Sequence, residues 1–179
     1  MGTAASQWAV RFGHLRQRRW FRWGLDLVIL IAVLALANAW QTRSHLRGGQ
    51  APSAVATTLE GERVSLESLR GKPVLLAFWA PWCKVCAAES QNLSWARRFA
   101  GDRAQVLSVA ASFEDLGQVR AYARDHAVDY PVLLGGDPLA QAFRVEAFPT
   151  IYFIDADGRI KGSTVGYTTT AGLLLRLFL

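Results

Sequence analysis

The stretch "PVLLAFWAPWCKVC", residues 73–86, constrains the fold more than any other part of the chain. Residues 73–80 form a continuous apolar run, the pattern of a strand covered on both faces. Residues 83–99 then read as a helix, closed by Arg97 and Arg98 in its last turn and by Gly101 as a stop signal. A doubly covered strand running directly into a helix calls for a layered α/β architecture. The chain has only two cysteines, Cys83 and Cys86, and both stand at that strand-to-helix junction.

The segments around the junction alternate in the same manner. "TLEGERVSL" predicts two short strands around Gly61, and residues 104–112 predict a second buried strand. A helix is expected over 114–127, with Leu116, Val119, Tyr122 and Ala123 inward. "YPVLLG" reads as a short extended piece, and 138–145 as a short helix with Asp137 as its N-cap. "PTIYFIDADGRIKGSTVG" reads as a hairpin turning at Asp157-Gly158, and "TTAGLLLRLFL" as a closing amphipathic helix. The order implies a mixed sheet with helices on both faces.

Charge is divided sharply along the chain. Residues 1–50 hold seven Arg and one acid, Asp26, and account for the whole net charge of +6. Residues 51–179 hold 13 Lys/Arg and 13 Asp/Glu. A formally neutral domain offers no electrostatic footprint for phosphate, so nucleic acid is not an expected partner. The basic groups instead flank an apolar run, "LDLVILIAVLALANAW", with Trp20, Trp23 and Trp40 near its ends. Five Arg precede it and two follow. By the positive-inside rule this predicts a single-pass anchor with a cytoplasmic N-terminus and an exported remainder. A cleaved signal peptide ending near "ALANA", residues 35–39, is the competing reading. The expected organisation is a cytoplasmic tail (1–23), a transmembrane anchor (24–40), a polar linker (41–53) and one domain (54–179). Either reading puts the cysteines in a disulfide-permissive compartment.

Two cysteines separated by two residues can close a small ring at a helix start. There, unpaired N–H groups and the positive end of the helix dipole favour a thiolate on the first sulfur. Cys83 is therefore the expected nucleophile, and Cys86 the thiol that resolves a mixed disulfide. Lys84 would push the Cys83 thiol in the same direction if its side chain turned toward the sulfur. Other readings stand beside this one: an inert buried pair, a static disulfide, or a metal carrier. Two thiolates are half of a tetrahedral zinc site, but they suffice for a soft ion such as Cu(I). For Trp79, core packing is at least as good an account as function.

"LEGERVSLESLRGKPVLLAFWAPWCKVCAAES" together with "FPTIYFIDADGRI" resembles the membrane-anchored, exported thioredoxin-like proteins of the TlpA/ResA type, most closely the ScsD-like subgroup. The resemblance covers about residues 54–179. It implies an α/β thioredoxin fold, a central mixed β-sheet flanked by helices, here with one N-terminal transmembrane helix. It implies dithiol–disulfide exchange with exported proteins, no organic cofactor or metal, and electrons from a DsbD-like reductase of the bacterial inner membrane, with the domain in the periplasm. Cys83 and Cys86 match the redox pair, and Pro149 the cis-proline that faces it. Trp82 and Phe148 match positions of the substrate groove. Glu89 matches an acidic position suited to proton handling, with a carboxylate near a helix start as the plainer account.

The sequence departs from relatives in three places. Lys84-Val85 replaces a dipeptide whose second residue is often proline, and this bears on redox potential. Ala77 occupies the place of the buried acid of thioredoxin, and Ser90-Gln91 that of a helix-kinking proline. A peroxiredoxin-type peroxidase is disfavoured, because Ala80 stands where its Thr or Ser would be. A reductase is the expected direction. An oxidase of the same fold, or a Cu(I) carrier in copper tolerance, are the alternatives. Apocytochrome c (hence cytochrome c maturation), copper-site proteins and misfolded proteins all fit as substrates.

Overall fold

The computed structural model describes residues 23–33, 35–36, 46 and 48–179. The chain divides into two units, Met1–Gln41 and Thr42–Leu179. In the first unit, residues 23–33 and 35–36 are helical with exposed side chains. Among the described residues no helix is long and apolar enough to cross a membrane. The rest of the expected anchor, 34 and 37–40, lies outside the described residues, as does the expected tail up to residue 22.

The second unit is built on strand β3 (Val74–Trp79), whose six residues are all buried. Successive side chains of a strand point to opposite faces, so an apolar run without alternation must be covered twice. Leu76 and Phe78 enter one core with Leu107, Val109, Leu139, Phe143 and Tyr152. Leu75 and Ala77 enter another with Leu93, Ala96, Val106, Ile151, Leu173 and Leu177. β4 (Gln105–Ala110) and β5 (Val132–Leu133) extend the sheet in parallel, and β6 (Thr150–Ile154) and β7 (Ile160–Val165) add to it antiparallel. The strand order is β5-β4-β3-β6-β7, the mixed sheet the sequence implied. A separate pair, β1 (Val55–Thr57) and β2 (Arg63–Ser65), packs beside it through a bridge from Thr58 to Leu133.

Four helices complete the domain: α1 (Lys84–Ala100), α2 (Leu116–Asp125), α3 (Gly136–Ala142) and α4 (Thr170–Phe178). α1 and α4 cover one face of the sheet and α3 the other. Gly101 ends α1 at φ 54°, a left-handed value that glycine adopts without a Cβ penalty, and its N–H donates to Arg97 O. Asp115 caps α2 by accepting from Gln118 N, and Thr169 caps α4 by accepting from Gly172 N.

Three expectations change. Leu116 is exposed, while Val119 and Tyr122 of α2 are buried as expected. Asp137 is not an N-cap: α3 starts earlier, after Gly135, and the Asp137 carboxylate accepts from Ser112 N at 2.9 Å. The expected linker is in part domain. Gly48 N donates to Ile160 O, Ala51 N to Gly158 O, and Gln50 bridges Arg159. These are backbone pairings, which a polar composition neither reveals nor forbids.

Candidate active site

Strand β3 delivers the chain to Cys83 at one end of the sheet. Cys83 is the N-cap of α1, extended at φ −84° and ψ 103°, and its sulfur accepts from Cys86 N at 3.2 Å. The helical turn brings the two residues to a Cα separation of 5.2 Å, and their sulfurs are joined as a disulfide. Both are nearly enclosed, at 7% and 2% exposure for Cys83 and Cys86. Cys83 is the outer of the two. Lys84 is exposed and has no hydrogen bond or ion pair among the described residues, so the assistance expected from it is not built into this geometry.

The surroundings of the pair come from three other elements. Trp82 is 66% exposed, and its indole Nε1 donates to Ser112 O at 3.0 Å. Its ring stands edge-on to Phe148, with centroids 5.9 Å apart. Phe148 packs against the cluster that holds both cysteines, and the Phe148–Pro149 peptide bond is cis. The register of β3 with β6, Phe78 opposite Thr150, sets Pro149 at the cysteine end of the sheet. The main-chain N–H and C=O of Phe148 have no partner among the described residues. Such groups are open to pairing with another extended chain. An open groove of about 700 Å³ runs from Trp82 along α2, past Phe113, Gln118 and Tyr122.

Behind the disulfide lies a polar layer. Ser90 Oγ donates to Cys86 O at 3.0 Å and shares a 2.8 Å hydrogen bond with Tyr122 Oη. Tyr122 stacks on Trp79, centroids 3.9 Å apart, so Trp79 is a core residue of the site. Burial pushes the Tyr122 phenol up to about 12. Glu89, one turn beyond Cys86, is only 1% exposed. Its Oε2 accepts from Thr168 N at 2.8 Å, while Oε1 is buried with no hydrogen-bond partner. Burial raises its carboxyl from 4.5 to about 7, against the pull of the Thr168 N–H. A protonated carboxyl at neutrality is a competent proton donor and, when ionised, a competent acceptor.

Sequence reasoning missed Ser90, Tyr122, Ser112 and Asp137 as parts of this site. Ser112 has φ 51°, an uncommon value for a side-chain-bearing residue, and both its backbone groups are held by side chains, Trp82 on the carbonyl and Asp137 on the N–H. No local pattern could have shown this, because the partners lie 25 and 30 residues away.

A disulfide at the N-terminus of the helix that follows the central strand, beside a cis-proline loop, defines a thioredoxin-fold thiol–disulfide oxidoreductase. The comparisons with known proteins agree. Residues 47–163 match the AhpC/TSA family, and the chain belongs to that family. It is 32% identical to the thioredoxin-like protein YneN of Bacillus subtilis, over 85% of this chain and 92% of that protein. It is 27% identical to the thiol-disulfide oxidoreductase ResA of the same organism, over 86% of this chain and 88% of that one. Among solved structures, a thioredoxin-family thiol:disulfide interchange protein from Chlorobium tepidum superposes with a TM-score of 0.66 at 27% identity, over 75% of this chain and 97% of that one. Ala80, where a peroxidase would need a hydroxyl, is fully buried.

Proposed function

We propose that the protein is a membrane-tethered reductase of disulfides in exported proteins. The observation that carries this is the enclosed Cys83–Cys86 disulfide, with only the Cys83 side bordered by an exposed aromatic and an unpaired main chain. An extended substrate segment would pair with Phe148 and lie against Trp82. In the reduced protein, the Cys83 thiolate attacks one sulfur of the substrate disulfide. The substrate S–S bond breaks, a Cys83–substrate bond forms, and the departing thiolate takes a proton from solvent. Glu89 then accepts the Cys86 proton, and Cys86 attacks Cys83. The Cys83–Cys86 disulfide forms, and the substrate leaves with two electrons gained. A DsbD-like dithiol in the inner membrane restores the reduced pair by the reverse exchange.

The reductase direction rests on how few groups face the Cys83 sulfur. Strong oxidants owe their potential to a deeply depressed thiol pKa, which stabilises the reduced form. Cys83 has a helix start and one N–H donor, and the neighbouring Lys84 is unengaged. Tethering rests on the apolar run at 24–40 with its Arg-rich flank, and the positive-inside rule supports a cytoplasmic N-terminus and a periplasmic domain. Equilibration against glutathione buffers tests the direction. A potential near ~−270 mV supports a reductase, and one near ~−120 mV makes the protein an oxidant. Stoichiometric Cu(I) binding without any exchange activity would move the assignment to a copper carrier.

A further inference from the structure

The end of the domain remote from the cysteines carries an exposed aromatic patch that the redox chemistry does not use. On α1, Trp95 and Phe99 are 42% and 58% exposed, and their rings stack one turn apart at 5.9 Å. On α4, Leu175 and Phe178 are exposed as well, and so is Leu179 just beyond it. Arg103 joins the two helices: its guanidinium donates to Phe99 O at 2.7 Å and lies 5.1 Å over the Phe178 ring. Arg98 lies 5.2 Å over Trp95. Aromatic rings left in water under guanidinium groups are not accounted for by folding of this domain.

Charge and topology say what covers them. The last turns of α1 and α4 supply Arg97, Arg98 and Arg176, and Arg103 follows. Against these four stand Asp102 and Asp129, the latter paired with Arg98 at 3.0 Å. The helix dipole favours cations at helix ends, but it does not require large apolar side chains beside them. Trp95 and Phe99 lie 12 and 16 residues along α1 from Cys83, which puts the patch about 18–24 Å from it. The chain enters the domain at the same end of the sheet: Ala51 pairs with Gly158 in the β6–β7 turn, where Ile154 stands opposite Val74 at the start of β3. The segment arriving there is the one that follows the apolar run at 24–40.

We propose that this face is a docking surface for the anionic headgroup region of the bilayer, with Trp95, Phe99 and Phe178 entering the interface and the arginines binding lipid phosphate. It rests on the tethering reading above. Tryptophan is favoured at the headgroup level, and basic groups near the surface add electrostatic attraction to anionic lipid. The disulfide then faces away from the membrane, toward soluble protein substrates.

The test uses the full chain reconstituted in vesicles of equal parts phosphatidylcholine and phosphatidylglycerol. One preparation carries Phe99→p-benzoylphenylalanine. Two others carry the same photoreactive group at Leu30, in the apolar run, and at Glu114, at the cysteine end. Illumination is expected to give phospholipid adducts at positions 99 and 30 and none at 114. Adding Arg176→Gln should lower the yield at 99 by up to about fivefold, the factor for one surface cation on anionic lipid. Lipid adducts at 30 without any at 99 overturn the docking surface and leave the tether standing. Crosslinks between two copies of the chain at 99, in place of lipid, overturn it in favour of self-association. No lipid adduct at 30 removes the tether, and the docking surface with it.

Discussion

Glu89→Gln should flatten much of the pH dependence of this protein's stability. The carboxyl is 1% exposed, and burial raises it from 4.5 to about 7 in the folded state. In the unfolded chain it ionises near its ordinary value. Between these two values the native protein holds a proton that the unfolded chain has lost, so stability falls as pH rises through that window. The contribution is complete below about 4.5 and gone above about 7. A gap of that width corresponds to about 3 kcal/mol, a visible share of the ~5–15 kcal/mol that holds a typical domain folded. Glutamine keeps an acceptor for the Thr168 N–H but cannot ionise. Urea unfolding of the disulfide-intact protein, in steps from about pH 4 to about pH 8, reads this directly. The wild type should lose stability across the series relative to the variant, with the two curves closest at the acid end. Parallel curves, separated by less than about 0.5 kcal/mol throughout, would show that Glu89 is ionised in the native protein at neutrality. The raised proton affinity that matches it to a thiol proton would then be absent, and with it the basis of the role assigned to it.

Three further outcomes follow from the same geometry. Cys86→Ser should accumulate a covalent adduct between Cys83 and protein substrates, visible by non-reducing electrophoresis and mass spectrometry, and Cys83→Ser should give none. Phe143→Ala should destabilise the fold by about 3–5 kcal/mol, because the ring is fully buried with centroids 5.1 Å from both Phe78 and Tyr152; thermal or urea unfolding measures it. Asp115→Ala should cost about 1 kcal/mol by removing the cap of α2, and hydrogen exchange should show faster opening of that helix than of α1.

Much of the fold was legible because its signals are local. The run at 73–80 suits a doubly covered strand, Gly101 stops α1, and the hairpin turn carries Asp155 Oδ1 accepting from Asp157 N and Arg159 N. The cysteine pair was legible for the same reason. What escaped depends on contacts between distant segments. Asp137 precedes a proline and has the look of an N-cap, yet its carboxylate serves a backbone N–H 25 residues earlier. Leu116 fits an inward helical position by spacing alone, but α2 is short and buries only Val119 and Tyr122. Glu89 is buried with its carboxylate held by Thr168 N, 79 residues away, and its neighbours in sequence do not show this.

The position of Glu89 also bears on how the two thiols share their chemistry. Cys83 sits where the helix start favours a negative charge. Cys86 is more deeply enclosed, one turn from a carboxyl that resists ionising. In the reduced protein, a thiolate at Cys86 and a carboxylate at Glu89 one helical turn away would disfavour each other. The Cys86 proton is the one that must leave for the mixed disulfide to resolve. On the proposed mechanism the two thiols are served by different groups, Cys83 by the helix start and Cys86 by Glu89. Thioredoxin-type sites that use an acid six residues before the first cysteine reach the same end from the strand, and here that position is Ala77, 1% exposed and packed in the core. If Glu89 takes the Cys86 proton, as proposed above, the pH dependence of resolution should follow Glu89.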